Sequence, residues 1–98
     1  MRGHLTVFSS SRMMSAMTGD IRDVLKAHAH LRVDAGSISP DADLFAAGMT
    51  SHASISVMLA LEECFDVEFP DHMLKRATFE SIASIQSAVT EIREQVAI

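Results

Sequence analysis

Hydrophobic positions recur along most of this chain at the spacing of a helix, and nowhere at the two-residue alternation of a strand. From Thr18 onward, Ile21, Val24, Leu25, His28 and Leu31 fall on one stripe at about 100° per residue, which predicts a first helix. Thr18 or Asp20 is placed to cap it, because a short oxygen-bearing side chain accepts from the unpaired N–H groups of a first turn. Residues 32–50 lose the period. Gly36, Ser37, Ser39, Pro40 and Gly48 predict a long loop, with Asp43-Leu44-Phe45 as a short turn whose apolar side chains plug the core.

A second helix is predicted over residues 51–65, capped by Thr50 or Ser51. With Ser51 at zero, Val57, Met58, Leu61 and Phe65 lie between about 240° and 340°, which makes that stripe the core face. Ile55, Leu59 and His52 lie between about 40° and 100°, with Glu62 and Glu63 at about 20° and 120°. A second face, apolar and acidic, therefore opens at Ser51. Phe69-Pro70-Asp71 starts a short helix running to about Arg76, since proline in a first turn loses no hydrogen bond. A last helix is expected from near Thr78, with Ile82, Ile85, Val89, Ile92 and Val96 on one stripe. The expected fold is all-α: a small antiparallel bundle of three longer helices and one short one. Residues 1–17, with serine clusters and no acids, read as a disordered lead before a domain over residues 18–98. Met13, Met14 and Met17 leave room for a later start.

Composition narrows the class. The 98 residues fit one domain, and a single cysteine permits no intramolecular disulfide. The longest apolar run is Val57 to Leu61, far short of a membrane span. A net charge of −5 argues against a general nucleic-acid binder. A small, soluble, acidic, cytoplasmic domain is expected. The charge is uneven: residues 1–33 sum to +3, residues 34–71 to −8, and residues 72–98 to zero. The acidic centre either steers a basic partner or is ordinary solubility charge.

Candidate chemistry is sparse. Cys64 reads as a small buried residue, with nothing basic beside it in sequence to lower its pKa. His28 and His30 are two apart and diverge on a helix, so no metal site is expected, and His28 reads as a core-edge histidine. Adjacent Ser51 and His52 diverge by about 100° on a helix, without a nucleophile elbow, which argues against a hydrolase. No glycine-rich nucleotide loop is present. Ser51 itself is either a simple N-cap or a place where a phosphate ester is well tolerated, at the positive end of a helix. Ile55 and Leu59 either form a docking face or pack under the long loop.

The succession Asp43-Leu44-Phe45, Gly48-Met49-Thr50-Ser51, Leu59-Ala60-Leu61-Glu62-Glu63 and Phe65-Asp66-Val67-Glu68-Phe69-Pro70-Asp71 resembles the acyl carrier protein family over residues 18–96. The resemblance implies that Ser51 bears covalent 4′-phosphopantetheine, installed by a phosphopantetheinyl transferase. Thr50-Ser51-His52 replaces the family's usual Asp-Ser-Leu, which sets the chain apart from housekeeping fatty-acid carriers. Within the family it is most similar to free-standing bacterial aminoacyl carrier proteins. That similarity implies loading with a small amino acid, glycine or alanine, by a ligase resembling seryl-tRNA synthetase, and delivery to a further acceptor enzyme. The chain would then be a non-catalytic carrier holding its cargo as a thioester, with His52, Ile55, Leu59, Glu62 and Glu63 as the partner-binding face. The alternatives are a carrier of fatty or polyketide chains, or a helical interaction module without a cofactor.

Overall fold

The structure, a computed structural model, describes residues 6–96 and the side-chain surroundings of residues 16–95. In chain order it comprises α1 (Thr6–His28), α2 (Ser51–Phe65), a 3-10 turn (Asp71–Met73), α3 (Arg76–Phe79) and α4 (Ile82–Val96). No strand occurs among the described residues. The expected three longer helices and one short one are present, with the 3-10 turn in addition. α1 packs on α2 and α4, and α3 packs on α4.

α1 begins twelve residues earlier than the periodic stripe suggests. Between Thr6 and Thr18 there is neither glycine nor proline, so nothing in the backbone stops a helix once it has formed. Thr18 and Asp20 therefore lie inside α1 rather than capping it, and residues 6–17 are helical where a disordered lead was expected. Residues 1–5 of that lead lie outside the described residues. Met17 is buried, with Thr90 Oγ1 at 3.8 Å from its sulfur. α1 ends at His28, and His30, at φ 56°, turns the chain away. Leu31, expected on the helical stripe, instead packs half-buried against the core from beyond the helix end. His28 is half-buried, as a core-edge residue should be.

The core is a single cluster. Ile21 and Leu25 of α1, Val57 and Leu61 of α2, and Ile82, Ile85 and Val89 of α4 are fully or almost fully buried, and Leu44 joins them from the loop. Leu44 is thus the core plug that its place in Asp43-Leu44-Phe45 predicts, while Phe45 is only half-buried.

Two element boundaries depart from the sequence expectation. The segment after Pro70 is not one helix: it breaks at Leu74 and Lys75, between the 3-10 turn and α3. Met73, Thr78 and Phe79 are all buried. On one continuous helix they would lie at about 0°, 140° and 240°, so no single face holds all three. The break lets each piece turn its own buried side chain inward, and Phe79 meets Phe69 edge-on at a centroid distance of 5.2 Å. α4 starts at Ile82, not near Thr78. Ser81 caps it by accepting from Ser84 N–H at 3.0 Å. The residues on either side of Ser81 serve the long loop: Glu80 O accepts from Leu44 N–H at 2.7 Å, and Ala83 N–H donates to Pro40 O at 3.0 Å.

Leu44 is 0% exposed, so Leu44→Ala should cost about 2–5 kcal/mol, the range for deleting a buried leucine side chain. Urea unfolding should show this as a lowered midpoint with little change in slope; an unshifted midpoint would remove Leu44 from the core.

Candidate functional site

The chain reaches Ser51 along a braced loop. Asp43 Oδ1 accepts from the N–H groups of Phe45 and Ala46 at 2.9 and 3.2 Å, which closes a turn. Met49 N–H returns to Leu44 O at 3.0 Å, and the Met49 side chain is buried. Gly48, at φ 124°, has the backbone conformation that L side chains rarely adopt; a Cβ there would also sit 3.2 Å from Arg32 N. Upstream, Arg22 Nη1 donates to Ala35 O and Ile38 O at 2.9 and 2.8 Å, pinning the loop to α1.

α2 occupies the predicted residues, Ser51–Phe65, and Thr50 is its N-cap. Thr50 Oγ1 accepts from Ala53 N–H at 3.0 Å. Ser51 is therefore not the cap. It is the first residue of the helix, exposed, and among the described residues nothing hydrogen-bonds its Oγ. Ser54 Oγ donates to the Ser51 carbonyl at 2.6 Å and leaves the hydroxyl alone. The first turn of α2 contains no acid, so a negative group on Ser51 would meet the positive helix end without like-charge opposition there.

The rest of the helix divides as the wheel predicts. Ala53, Val57, Leu61 and Phe65 are buried, and Met58 is half-buried. Ile55 and Leu59 are 54% and 55% exposed, so they do not pack under the loop. His52 and Glu63 are exposed beside them. Glu62 is half-buried, and its Oε2 accepts from Phe69 N–H at 2.9 Å; that carboxylate braces the loop after α2 as well as facing outward.

Ser51 and Ile55 also line one side of an open groove of about 530 Å³. Its other side comes from Phe45, Leu74, Lys75, Arg76 and Phe79. Sequence reasoning did not find the contribution of Leu74, Lys75 and Arg76, because the break that turns them toward α2 carries no glycine or proline to announce it. Although residues 34–71 sum to −8, the groove side of Ser51 carries two cations and no acid. Of the acids in residues 34–71, Asp34 accepts from Gly36 N–H, Asp43 from two N–H groups and Glu62 from Phe69, so part of that charge builds turns.

Cys64 is exposed, not buried as expected. It lies in the last turn of α2, near enough to Asp20 and Asp23 of α1 and to Arg93 of α4 for their charges to act on it. Partial loss of hydration is the first cause that raises its thiol pKa; Asp20 and Asp23 add to this and Arg93 opposes it. No group of three or more His, Cys, Asp or Glu able to hold a metal exists among the described residues, and no helix there is long and apolar enough to cross a membrane.

Ser51 is thus an exposed serine on the first turn of a helix, reached by a braced loop and with Ile55 one turn further on. The chain belongs to the phosphopantetheine attachment site family, which matches residues 20–89. Its covalent cofactor is therefore 4′-phosphopantetheine, and the uncrowded, unbonded Ser51 Oγ fits such a phosphate ester. Among curated proteins it is 44% identical over 73 residues to the aminoacyl carrier protein of Agrobacterium fabrum, spanning 74% of this chain and 88% of that protein. It is also similar to a chain in the crystal structure of an engineered Bradyrhizobium japonicum glycine:[carrier protein] ligase complexed with carrier protein from Agrobacterium tumefaciens and ATP. That match has 43% identity and a TM-score of 0.75, and covers 78% of this chain and 99% of the other. An Agrobacterium tumefaciens protein solved in solution matches at 40% identity and a TM-score of 0.65, covering 83% and 99%.

Because its pKa is raised, Cys64 holds less reactive thiolate at neutral pH than an ordinary cysteine. Iodoacetamide should therefore alkylate it more slowly than a model peptide at pH 7.5. Its rate should keep rising with pH after the peptide's has levelled. Mass spectrometry of timed samples checks this, and labelling as fast as the peptide's would contradict the assignment.

Proposed function

We propose that Ser51 is the attachment residue and that this chain, through a domain over residues 18–98, carries a small amino acid of the glycine or alanine class to partner enzymes. The observation that carries the reading is the exposed, unbonded Ser51 Oγ on the first turn of α2. Similarity to an aminoacyl carrier protein, and to a chain from a ligase–carrier crystal structure, supports the amino-acid cargo.

When attached, the cofactor supplies a terminal thiol on a flexible arm, which raises the local concentration of a thioester-bound cargo at a docked enzyme. The residues of this chain do the rest. Thr50 fixes the start of α2, and the unpaired N–H groups of its first turn favour the phosphate. Ile55 and Leu59, four residues apart, offer apolar contact about 6 and 12 Å along the helix from Ser51. His52, Glu62 and Glu63 frame them with polar groups. Docking, loading by a ligase resembling seryl-tRNA synthetase and transfer to an acceptor are thus recognition tasks. The protein contributes no catalytic group, and its setting is the cytoplasm. His52 at the helix edge gives this face a different shape from a leucine there, which disfavours enzymes built for fatty-acid carriers.

Co-expression with a phosphopantetheinyl transferase should add the phosphopantetheine mass to the chain, and Ser51→Ala should abolish the gain. A variant that still gains the mass would overturn the assignment. The modified protein, given ATP, glycine and the Bradyrhizobium-type ligase, should gain one glycyl group that hydroxylamine removes; acceptance only of fatty or polyketide acyl groups would instead mark an acyl carrier.

Ile55→Ala and Leu59→Ala should each lower the efficiency of that loading about tenfold, the scale of an interface residue whose truncation costs over 1 kcal/mol. Circular dichroism should stay unchanged, since neither side chain is in the core. Undiminished loading would take both residues out of the docking face.

A further inference from the structure

Of the large hydrophobic side chains left exposed, Ile55, Leu59 and Leu74 belong to α2 or to the groove beside it, and Val33 does not. Val33 is 52% exposed and follows Arg32 in the turn beyond α1. That turn is fixed from both sides: Ala29 and Ala35 are buried, and Leu31 packs against the core. Arg32 N–H donates to Ala47 O at 2.8 Å, and Arg32 Nη2 donates to Ala46 O at 3.2 Å. Among the described residues no carboxylate pairs with the exposed Arg32 guanidinium. The nearest acid in sequence, Asp34, accepts from Gly36 N–H and Ser37 Oγ instead. An unpaired cation thus stands beside an aliphatic side chain, on a segment that packing has already ordered. Ser51 is four residues beyond Ala47, at most about 14 Å of chain. An interface of ordinary size covers roughly 800 Å² of each partner, a patch about 30 Å across. An enzyme seated on Ser51, Ile55 and Leu59 therefore has Arg32 and Val33 within its footprint.

We propose that Arg32 and Val33 form a second docking point for the loading ligase, which meets them with a carboxylate beside an apolar contact. The proposal rests on the amino-acid carrier reading and extends its α2 face across the loop. A guanidinium offers a carboxylate two parallel N–H bonds, and the bond from Nη2 to Ala46 O already orients its plane. Val33 supplies an apolar border that excludes water, and a charged hydrogen bond gains strength there. The order of charges matters. Glu62 and Glu63 lie at the end of α2 away from Ser51, while Arg32 is tied to the loop just before it. A ligase surface with a base toward Glu63 and an acid toward Arg32 fits in one orientation, and turning it round sets like charges against each other. Ser51 consequently meets the enzyme in the same way at each encounter.

The test measures glycylation of the full, phosphopantetheine-bearing chain by the Bradyrhizobium-type ligase, as KM for the carrier at several salt concentrations. Arg32→Gln should raise KM about threefold, the scale of one exposed ion pair, and Arg32→Glu about tenfold, with the change in KM rather than in kcat. Arg32→Lys keeps the charge and should recover most of the loss. Val33→Ser should raise KM several-fold and leave its salt dependence intact. In Arg32→Gln the slope of log KM against log salt should fall, because a charge contact is gone. A loop that had only slackened would raise KM with the slope unchanged. The phosphorus-31 signal of the arm should be the same in every variant, since Arg32 serves the ligase and not the phosphodiester. An unaltered KM in Arg32→Glu or in Val33→Ser, a raised KM with an unaltered slope in Arg32→Gln, or a phosphorus signal that follows Arg32 would each overturn the proposal. A chain that gains the arm mass and is never glycylated overturns the amino-acid reading, and the proposal with it; intact mass shows this before any KM is compared.

Discussion

The position of Ser51 depends on one buried side chain, Leu44. The chain from residue 29 to residue 50 has no helix of its own to stiffen it, so its conformational entropy must be offset by contacts elsewhere. Leu44 is fully buried in the middle of that span, its N–H reaches Glu80 O at 2.7 Å, and its carbonyl receives Met49 N–H at 3.0 Å. These contacts tie together the hydrophobic core, the approach to α4 and the last residues before α2. Gly48 then supplies the backbone conformation that lets a short return from Leu44 end at Thr50, the cap. The site is thus a consequence of packing: the serine sits on a helix end that the core holds in place.

α2 was legible from sequence because three independent signals agreed there. Thr50 offered a capping oxygen, the loop before it lost the helical period, and the apolar stripe ran to Phe65; in the structure Asp66, at φ 55°, ends the helix in a left-handed turn. Where local signals conflict with packing, reading fails. Residues 71–76 read as one short helix, yet the chain breaks at Leu74 and Lys75, because burying Met73 before the break and Thr78 and Phe79 after it is a demand of the surrounding core. Cys64 shows the reverse case. Its angle on the helix is close to the core stripe, but α1 presents carboxylates at that end of the bundle, and sequence spacing on one helix carries no word of its neighbour. At the proposed attachment site, the residues alone made Ser51 only a helix-start serine; the succession of motifs around it carried the functional reading. The cations of the groove lay 24 and 25 positions further on and could not be assigned to the same site.

The net charge of −5 takes on a different meaning once the side chains are placed. Carboxylates of Asp34, Asp43 and Glu62 accept backbone N–H groups, so they serve as turn and loop braces before they serve as surface charge. The acidic middle of the sequence is consequently not a uniform acidic surface around Ser51. One side of α2 offers Glu62 and Glu63 beside Leu59, while the other faces Lys75 and Arg76 across the groove. A partner that read only total charge would not distinguish these sides; one that docks along α2 must meet acid and base in a fixed order, which sets orientation as well as attraction.

Rigidity and mobility are then divided along one helix. The stripe of Ala53, Val57, Leu61 and Phe65 locks α2 into the core, so the exposed line of Ser51, Ile55 and Leu59 keeps its spacing without any partner present. Docking therefore orders few groups that were not already ordered, and little of the contact energy is lost to conformational entropy. With the cofactor at Ser51, as proposed, the flexible element would be the attached arm alone. A carrier must also release its partner to visit the next one, so its exposed apolar surface has to be enough for recognition and too small for permanence. Two separated aliphatic side chains, bordered by charges and unsupported by an extended hydrophobic patch, meet that requirement in a way that a larger apolar face would not.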